Sequence, residues 1–121
     1  MKTVIIVDDA ATMRMLIEMN LRAVPDIRVL QAKTGREALE LKARESPALI
    51  ITDLNMPECG GYELVEQIRV VQQDRLTAII VVTTRSGIED ARKVMRLGAN
   101  AFVTKPIVGQ VLVDTVTRLL G

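Results

Sequence analysis

The chain has no histidine, no tryptophan, one cysteine and two aromatic residues, Tyr62 and Phe102, among its 121 residues. Without histidine, most transition-metal centres lose their usual ligand and no imidazole is present to activate a nucleophile. Cys59 has no partner for an intramolecular disulfide and no base to ionise it, which argues against a catalytic thiol. A lone free cysteine fits a reducing, cytoplasmic compartment. An excess of charge of one sign is also missing: 16 Lys and Arg against 15 Asp and Glu leave a net charge of +1. Basic residues never run longer than Arg92-Lys93, so direct nucleic-acid binding is not indicated. Long apolar runs are absent as well. Four apolar residues, Val4–Val7, are followed at once by two acids, and the expectation is neither a signal peptide nor membrane insertion.

What is present is ordinary globular material. With 49% hydrophobic and 26% charged residues, the chain reads as a single domain over residues 1–121, long enough to bury a core. Thr3–Val7, Ile27–Ala32, Ala48–Ile51, Ala78–Thr83 and Ala101–Thr104 read as strands, most of them β-branched and apolar. Between them the helical period recurs. Ala11–Ala23 carries Met13, Leu16, Ile17 and Leu21 at core spacing, with Met15 and Met19 off the stripe. Thr34 and Glu37 form a capping-box signature before a helix whose core face is drawn from Ala38, Leu39, Leu41 and Ala43. Tyr62–Val71 is a third helix, with Tyr62 partly exposed at its start. Ile88–Leu97 is a fourth, closed by Gly98, and Gly109–Leu120 a fifth. Five strands alternating with five helices through short loops predict an α/β fold, a doubly wound, three-layer (βα)5 domain with a parallel sheet. Pro57 is expected to stop any continuation of the third strand's exit.

The organising stretch is A-L-I-I-T-D-L-N-M-P at Ala48–Pro57, an apolar strand that delivers Asp53 to its C-terminal end. Ligands of open α/β sheets bind at that edge. Strand 1 brings Asp8 and Asp9 there, strand 4 brings Thr83 and strand 5 brings Lys105. Three converging carboxylates raise one another's proton affinity unless a cation intervenes. All-oxygen ligation favours a hard ion such as Mg²⁺. A lysine and a hydroxyl beside a metal are what a phosphoryl group needs, and a carboxylate can accept one as an acyl phosphate. Asp53 projects alone from its strand and suits the nucleophile. The adjacent Asp8 and Asp9 suit metal binding.

The residues V-I-I-V-D-D-A with A-T-M-R, then I-I-T-D-L-N-M-P, V-V-T-T and V-T-K-P, resemble the receiver domain of two-component response regulators. The likeness is greatest to single-domain, CheY-like receivers and runs from about Thr3 to Leu120. It implies a flavodoxin-like strand order 2-1-3-4-5. It implies that Asp53 accepts the phosphoryl group, and that Mg²⁺ or Mn²⁺ is held by Asp9, Asp53 and the backbone carbonyl of Asn55, with Asp8 acting through water. By the same likeness Lys105 pairs with the phosphoryl group, Thr83 is the switch hydroxyl, and the Lys105–Pro106 bond is cis. Composition alone favours a core position for Phe102, whereas the resemblance makes it the switch aromatic.

The implied partners are a sensor histidine kinase or phosphotransfer protein, and an output protein that reads helix 4, strand 5 and helix 5. Helix 5 carries a wide apolar stripe (Val111, Leu112, Val113, Val116, Leu119, Leu120), which fits either core packing or a partner surface, including a phosphorylation-dependent dimer. Thr84 stands where many receivers have a smaller residue. Asn55 and Arg85 flank the route of the attacking water in the family and are expected to set the phosphorylation lifetime. The rival reading, a flavodoxin-like cofactor-binding module, wants a phosphate loop after strand 1, where Asp8-Asp9-Ala10-Ala11 would repel a phosphate. A haloacid-dehalogenase-type phosphatase wants D-x-D there, and the chain has D-D.

Overall fold

Alternation along each inner strand decides the architecture. Ile5, Ile50, Ile79 and Val81 face one buried cluster, and Val4, Ile6, Ile51, Ile80 and Val82 face another. A strand whose successive residues are buried on opposite sides must lie in a sheet covered on both faces. The computed structural model describes residues 1–56 and 58–121 and contains that sheet. Its strands are β1 (Lys2–Val7), β2 (Ile27–Ala32), β3 (Leu49–Asp53), β4 (Ala78–Thr83) and β5 (Ala101–Thr104). All pair in parallel, in the order β2-β1-β3-β4-β5. The helices are α1 (Ala11–Leu21), α2 (Gly35–Glu45), α3 (Gly61–Glu66), α4 (Ile88–Leu97) and α5 (Gly109–Leu120). Residues of α2, α3 and α4 fill the first cluster and residues of α1 and α5 the second. Pro57, expected to end the strand's exit, lies outside the described residues. Among the described residues, no helix is long and apolar enough to cross a membrane.

Local chemistry explains where elements stop. The Thr34 hydroxyl accepts from Glu37 N–H at 3.1 Å and caps α2. Ser46, with φ 45°, turns the chain out of that helix. Gly98 closes α4 at φ 124°, a region where an L side chain is strained.

Three expectations are corrected. The buried stripe of α1 is Arg14, Ile17 and Leu21, and Leu16 is 42% exposed. Arg14 holds a place on that stripe because its guanidinium donates to the buried Asp8 carbonyl and to Gln31 Oε1. Ala43 lies on the exposed side of α2, so Ala38 anchors that helix with Leu39 and Leu41 partly buried beside it. The third helix does not continue as α to Val71 but widens into a π-helical turn over Gln67–Val71. That turn seats Arg69, which donates to the carbonyls of Gly98 and Asp74 and to Asn100 Oδ1, each at 2.9 Å. One guanidinium thus ties α3, the approach to β4 and the end of α4 together at the edge of the sheet away from the strand C-termini.

Candidate functional site

The register places the polar residues before any side-chain contact is considered. Val7 pairs with Thr52 and Asp53 with Val82, while Thr83 pairs with Thr104, so the residues that end β1, β3, β4 and β5 emerge side by side. Leu54 N–H donates to the Val82 carbonyl at 2.9 Å and Lys105 N–H to the Thr83 carbonyl at 2.7 Å, which extends the ladder into the loops. The chain leaving β3 turns sharply back into α3. A Cβ on Gly61 would stand 2.7 Å from the Asp53 carbonyl oxygen, so only glycine permits α3 to start this close to the acid. Glu58 and Cys59 hold φ values of 54° and 68°, and the Cys59 carbonyl accepts from Gly35 N–H at 3.2 Å. Cys59 is half-buried, and burial pushes its thiol up and away from reactivity.

Asp8, Asp9 and Asp53 each offer a carboxylate oxygen within 4.8 Å of the others. Asp8 and Asp53 are buried and Asp9 is exposed. Lys105 Nζ lies 3.4 Å from Asp53 Oδ1. Three carboxylates and one ammonium leave a formal charge of −2, the complement of a divalent cation. Asp8 Oδ1 accepts from Ala10 N–H at 2.8 Å, whereas its Oδ2 is buried with no hydrogen-bond partner among the described residues. A buried carboxylate oxygen without a donor costs free energy that a cation or its water can recover. Burial raises the Asp8 pKa, and the charges of Asp53 and Asp9 add to that, while the Ala10 N–H and Lys105 oppose it. The donor set therefore fits a hard divalent ion. Oxygens grouped within 4.8 Å of one another are close enough to share one such ion.

Arg14 belongs to this site although its function was not read from the sequence. It is 8% exposed, donates from Nη1 to the Asp8 carbonyl at 2.7 Å and from Nε to Gln31 Oε1 at 2.9 Å. Gln31 in turn donates to Glu18 Oε1 at 2.8 Å. The guanidinium fixes the backbone that carries both acids. The signal was available: Arg14 shares its helical spacing with Ile17 and Leu21, and an arginine on a core stripe calls for a buried acceptor.

Of the other expected residues, Thr83 is buried and donates to the Thr84 carbonyl at 3.1 Å. The Lys105–Pro106 bond is cis. Phe102 is 37% exposed and lines a groove of about 190 Å³ with Val103, Thr104, Val108 and Val111, so it is not a core residue. The α5 stripe divides: Leu112 and Val116 are core, Val113, Leu119 and Leu120 pack partly against it, and Val111 is exposed. Asn55 and Arg85 are both exposed, and Asn55 borders a cavity of about 670 Å³ between the β3–α3 loop and α4.

The sequence profile of the response regulator receiver domain matches residues 4–117. The chain belongs to this family. As a response regulator receiver it is a signalling switch of two-component phosphorelay systems, and its flavodoxin-like character is confined to the fold. It is 36% identical to a chemotaxis protein CheY homolog of Campylobacter jejuni over 118 residues, covering 97% of this chain and 91% of that protein. The same identity relates it to chemotaxis protein CheY1 of Helicobacter pylori, over 97% of this chain and 95% of the relative. Among solved structures it is similar to the chemotaxis response regulator CheY4 of Vibrio cholerae, with a TM-score of 0.86 and 31% identity over 98% of each chain.

Proposed function

We propose that Asp53 is the phospho-acceptor of this receiver and that Asp8, Asp9 and Asn55 serve a Mg²⁺ or Mn²⁺ ion beside it. The observation that carries this reading is the contact of Lys105 Nζ with Asp53 Oδ1 at 3.4 Å inside a cluster of three carboxylates. An Asp53 oxygen attacks the phosphorus of a phosphohistidine, the P–N bond breaks, and the imidazole leaves with the electron pair. The metal, when bound, supplies charge neutralisation for an attack by one anion on another. Lys105 is placed to pair with the transferred group, and Arg14 keeps the β1 acids in register with it. Asp9 and Asp53 are the side-chain ligands in this reading, Asn55 contributes its backbone carbonyl, and Asp8 acts through metal-bound water. The domain thereby assists its own phosphotransfer and its later hydrolysis, while its output is a change of binding surface.

The added phosphoryl group brings nearly two negative charges and new acceptor oxygens to the strand ends. Thr83 and Lys105 respond to it, and α4 and Phe102 repack. The donor is a histidine kinase or phosphotransfer protein of the cytoplasm. The reader is an output protein on α4, β5 and α5, where Phe102, Val108 and Val111 already expose apolar surface, and a second receiver could dock there as a phosphorylation-dependent dimer.

Intact mass after incubation with Mg²⁺ and a small acyl-phosphate donor tests the assignment. The wild type is expected to gain one phosphoryl group; metal removal or Asp53→Asn is expected to abolish the gain. Undiminished labelling of Asp53→Asn would move the acceptor elsewhere.

A further inference from the structure

Thr83 and Gly87 meet across the single 3₁₀ turn Arg85–Gly87 that joins β4 to α4. The Thr83 hydroxyl is held in this turn by its bond to the Thr84 carbonyl. A Cβ built on residue 87 would stand 2.3 Å from Thr83 Oγ1, an impossible distance. The next nearest atoms, Thr84 Oγ1 and the Thr83 Cβ, would be 3.6 and 3.7 Å away, which is ordinary contact. Gly87 has φ −92° and ψ 8°, a conformation open to residues other than glycine. The main chain therefore does not require glycine here. What the missing side chain provides is room for one atom, the Thr83 hydroxyl oxygen.

We propose that Gly87 is a positioning residue whose bare Cα seats the Thr83 hydroxyl in the unphosphorylated state and so sets how readily that hydroxyl departs. This rests on the reading of Thr83 as the switch hydroxyl. A threonine side chain has three staggered χ1 wells. An alanine at 87 excludes the well that puts Oγ1 in the seat and, because a methyl is no smaller, the well that puts Cγ2 there. Only the well with Hβ in the seat survives. The hydroxyl is then expelled and its bond to the Thr84 carbonyl is lost. A ligand of Asp53 that needs the hydroxyl displaced binds with an affinity reduced by the population of the displaced rotamer. Alanine at 87 removes that reduction, so the resting switch is biased towards its modified state without any change at the acceptor.

The test compares Gly87→Ala in the Thr83 background and in a Thr83→Ala background, with two readouts. The first is the Thr83 χ1 rotamer, from three-bond NMR couplings to its γ2 methyl in the metal-free protein. A change of well is expected in Gly87→Ala, and an unchanged well would overturn the proposal. This readout does not depend on whether Asp53 accepts a phosphoryl group. The second is the affinity for beryllofluoride, a tetrahedral phosphoryl mimic, in the presence of Mg²⁺. Gly87→Ala should tighten it about three- to tenfold when residue 83 is threonine and leave it unchanged when residue 83 is alanine. The same change in both backgrounds, or weaker binding in the Thr83 background, would overturn the proposal. If no variant binds beryllofluoride, the acceptor assignment fails, and the rotamer still decides the role of Gly87.

Discussion

Asn55 and Arg85 follow Asp53, the proposed acceptor, and Thr83 at the same two-residue offset, one beyond the end of β3 and the other beyond the end of β4, and both are exposed. An amide can orient a water for attack on the acyl phosphate, and a long cationic side chain can obstruct its approach. Asn55→Ala is therefore expected to slow loss of the phosphoryl group and Arg85→Ala to hasten it. Each change should be about fivefold, the rate equivalent of one hydrogen bond worth about 1 kcal/mol. Single-exponential decay followed by intact mass measures both, and unchanged rates in both variants would remove these residues from the lifetime. At this scale the sequence was legible where the pattern carried a chemically committed residue to a strand end: the three acids, Thr83 and Lys105 meet at one edge of the sheet, as read, whereas composition misplaced Phe102 in the core. Arg14 was missed although its spacing with Ile17 and Leu21 marked it, because a charged side chain among apolar neighbours is by default assigned to the solvent. Only the structure shows the Asp8 carbonyl and the Gln31 side chain that make its burial favourable.

Elements whose ends are fixed by local chemistry were read well, and those fixed by distant partners were not. β4, α4, β5 and α5 begin and end where hydroxyls, Gly98, Lys105-Pro106 and Gly109 place the breaks. The π turn after α3 carries no such mark, since it answers to a network assembled from three other segments. Asp74, just beyond that turn, shows the network's strength. Burial opposes its charge, yet donors from the Thr77 hydroxyl, Lys42 and the N–H groups of Leu76 and Thr77 outweigh burial and hold its carboxyl well below the usual range. Asp74→Ala should destabilise the fold by about 2 kcal/mol, a typical worth of hydrogen bonds to a charged group. Because the folded-state pKa is depressed, the contribution is complete above the ordinary carboxylate pKa and is lost as pH falls through the folded value. Urea unfolding should show a constant gap between wild type and Asp74→Ala above about pH 5, narrowing below about pH 4. A gap that did not narrow in acid would mean that the charge is not what the network holds.

For the whole molecule, pattern alone predicted the class, a parallel sheet with helices on both faces, while the strand order came only with the family resemblance. The hydrophobic period placed Ile17 and Leu21 correctly on the core face of α1 and misplaced Leu16. Leu16 joins Met15 and Met19, which were expected off the stripe, on an exposed apolar face of the helix that starts directly after the β1 acids. Met19→Glu is accordingly expected to slow transfer from a phosphotransfer protein at least about tenfold, as burying an unpaired charge does, and to leave labelling by a small acyl-phosphate donor unchanged. Equal slowing with both donors would instead implicate the site. One further consequence follows from the ladder that runs past the strand ends, Leu54 to Val82 and Lys105 to Thr83. Those bonds tie together the backbones that carry Asp53, Thr83 and Lys105, so the loops beyond the strand ends have little freedom to move singly. Backbones joined in this way act as one lever, so a displacement at any one strand end is passed to its neighbours while the side chains remain free to turn on it.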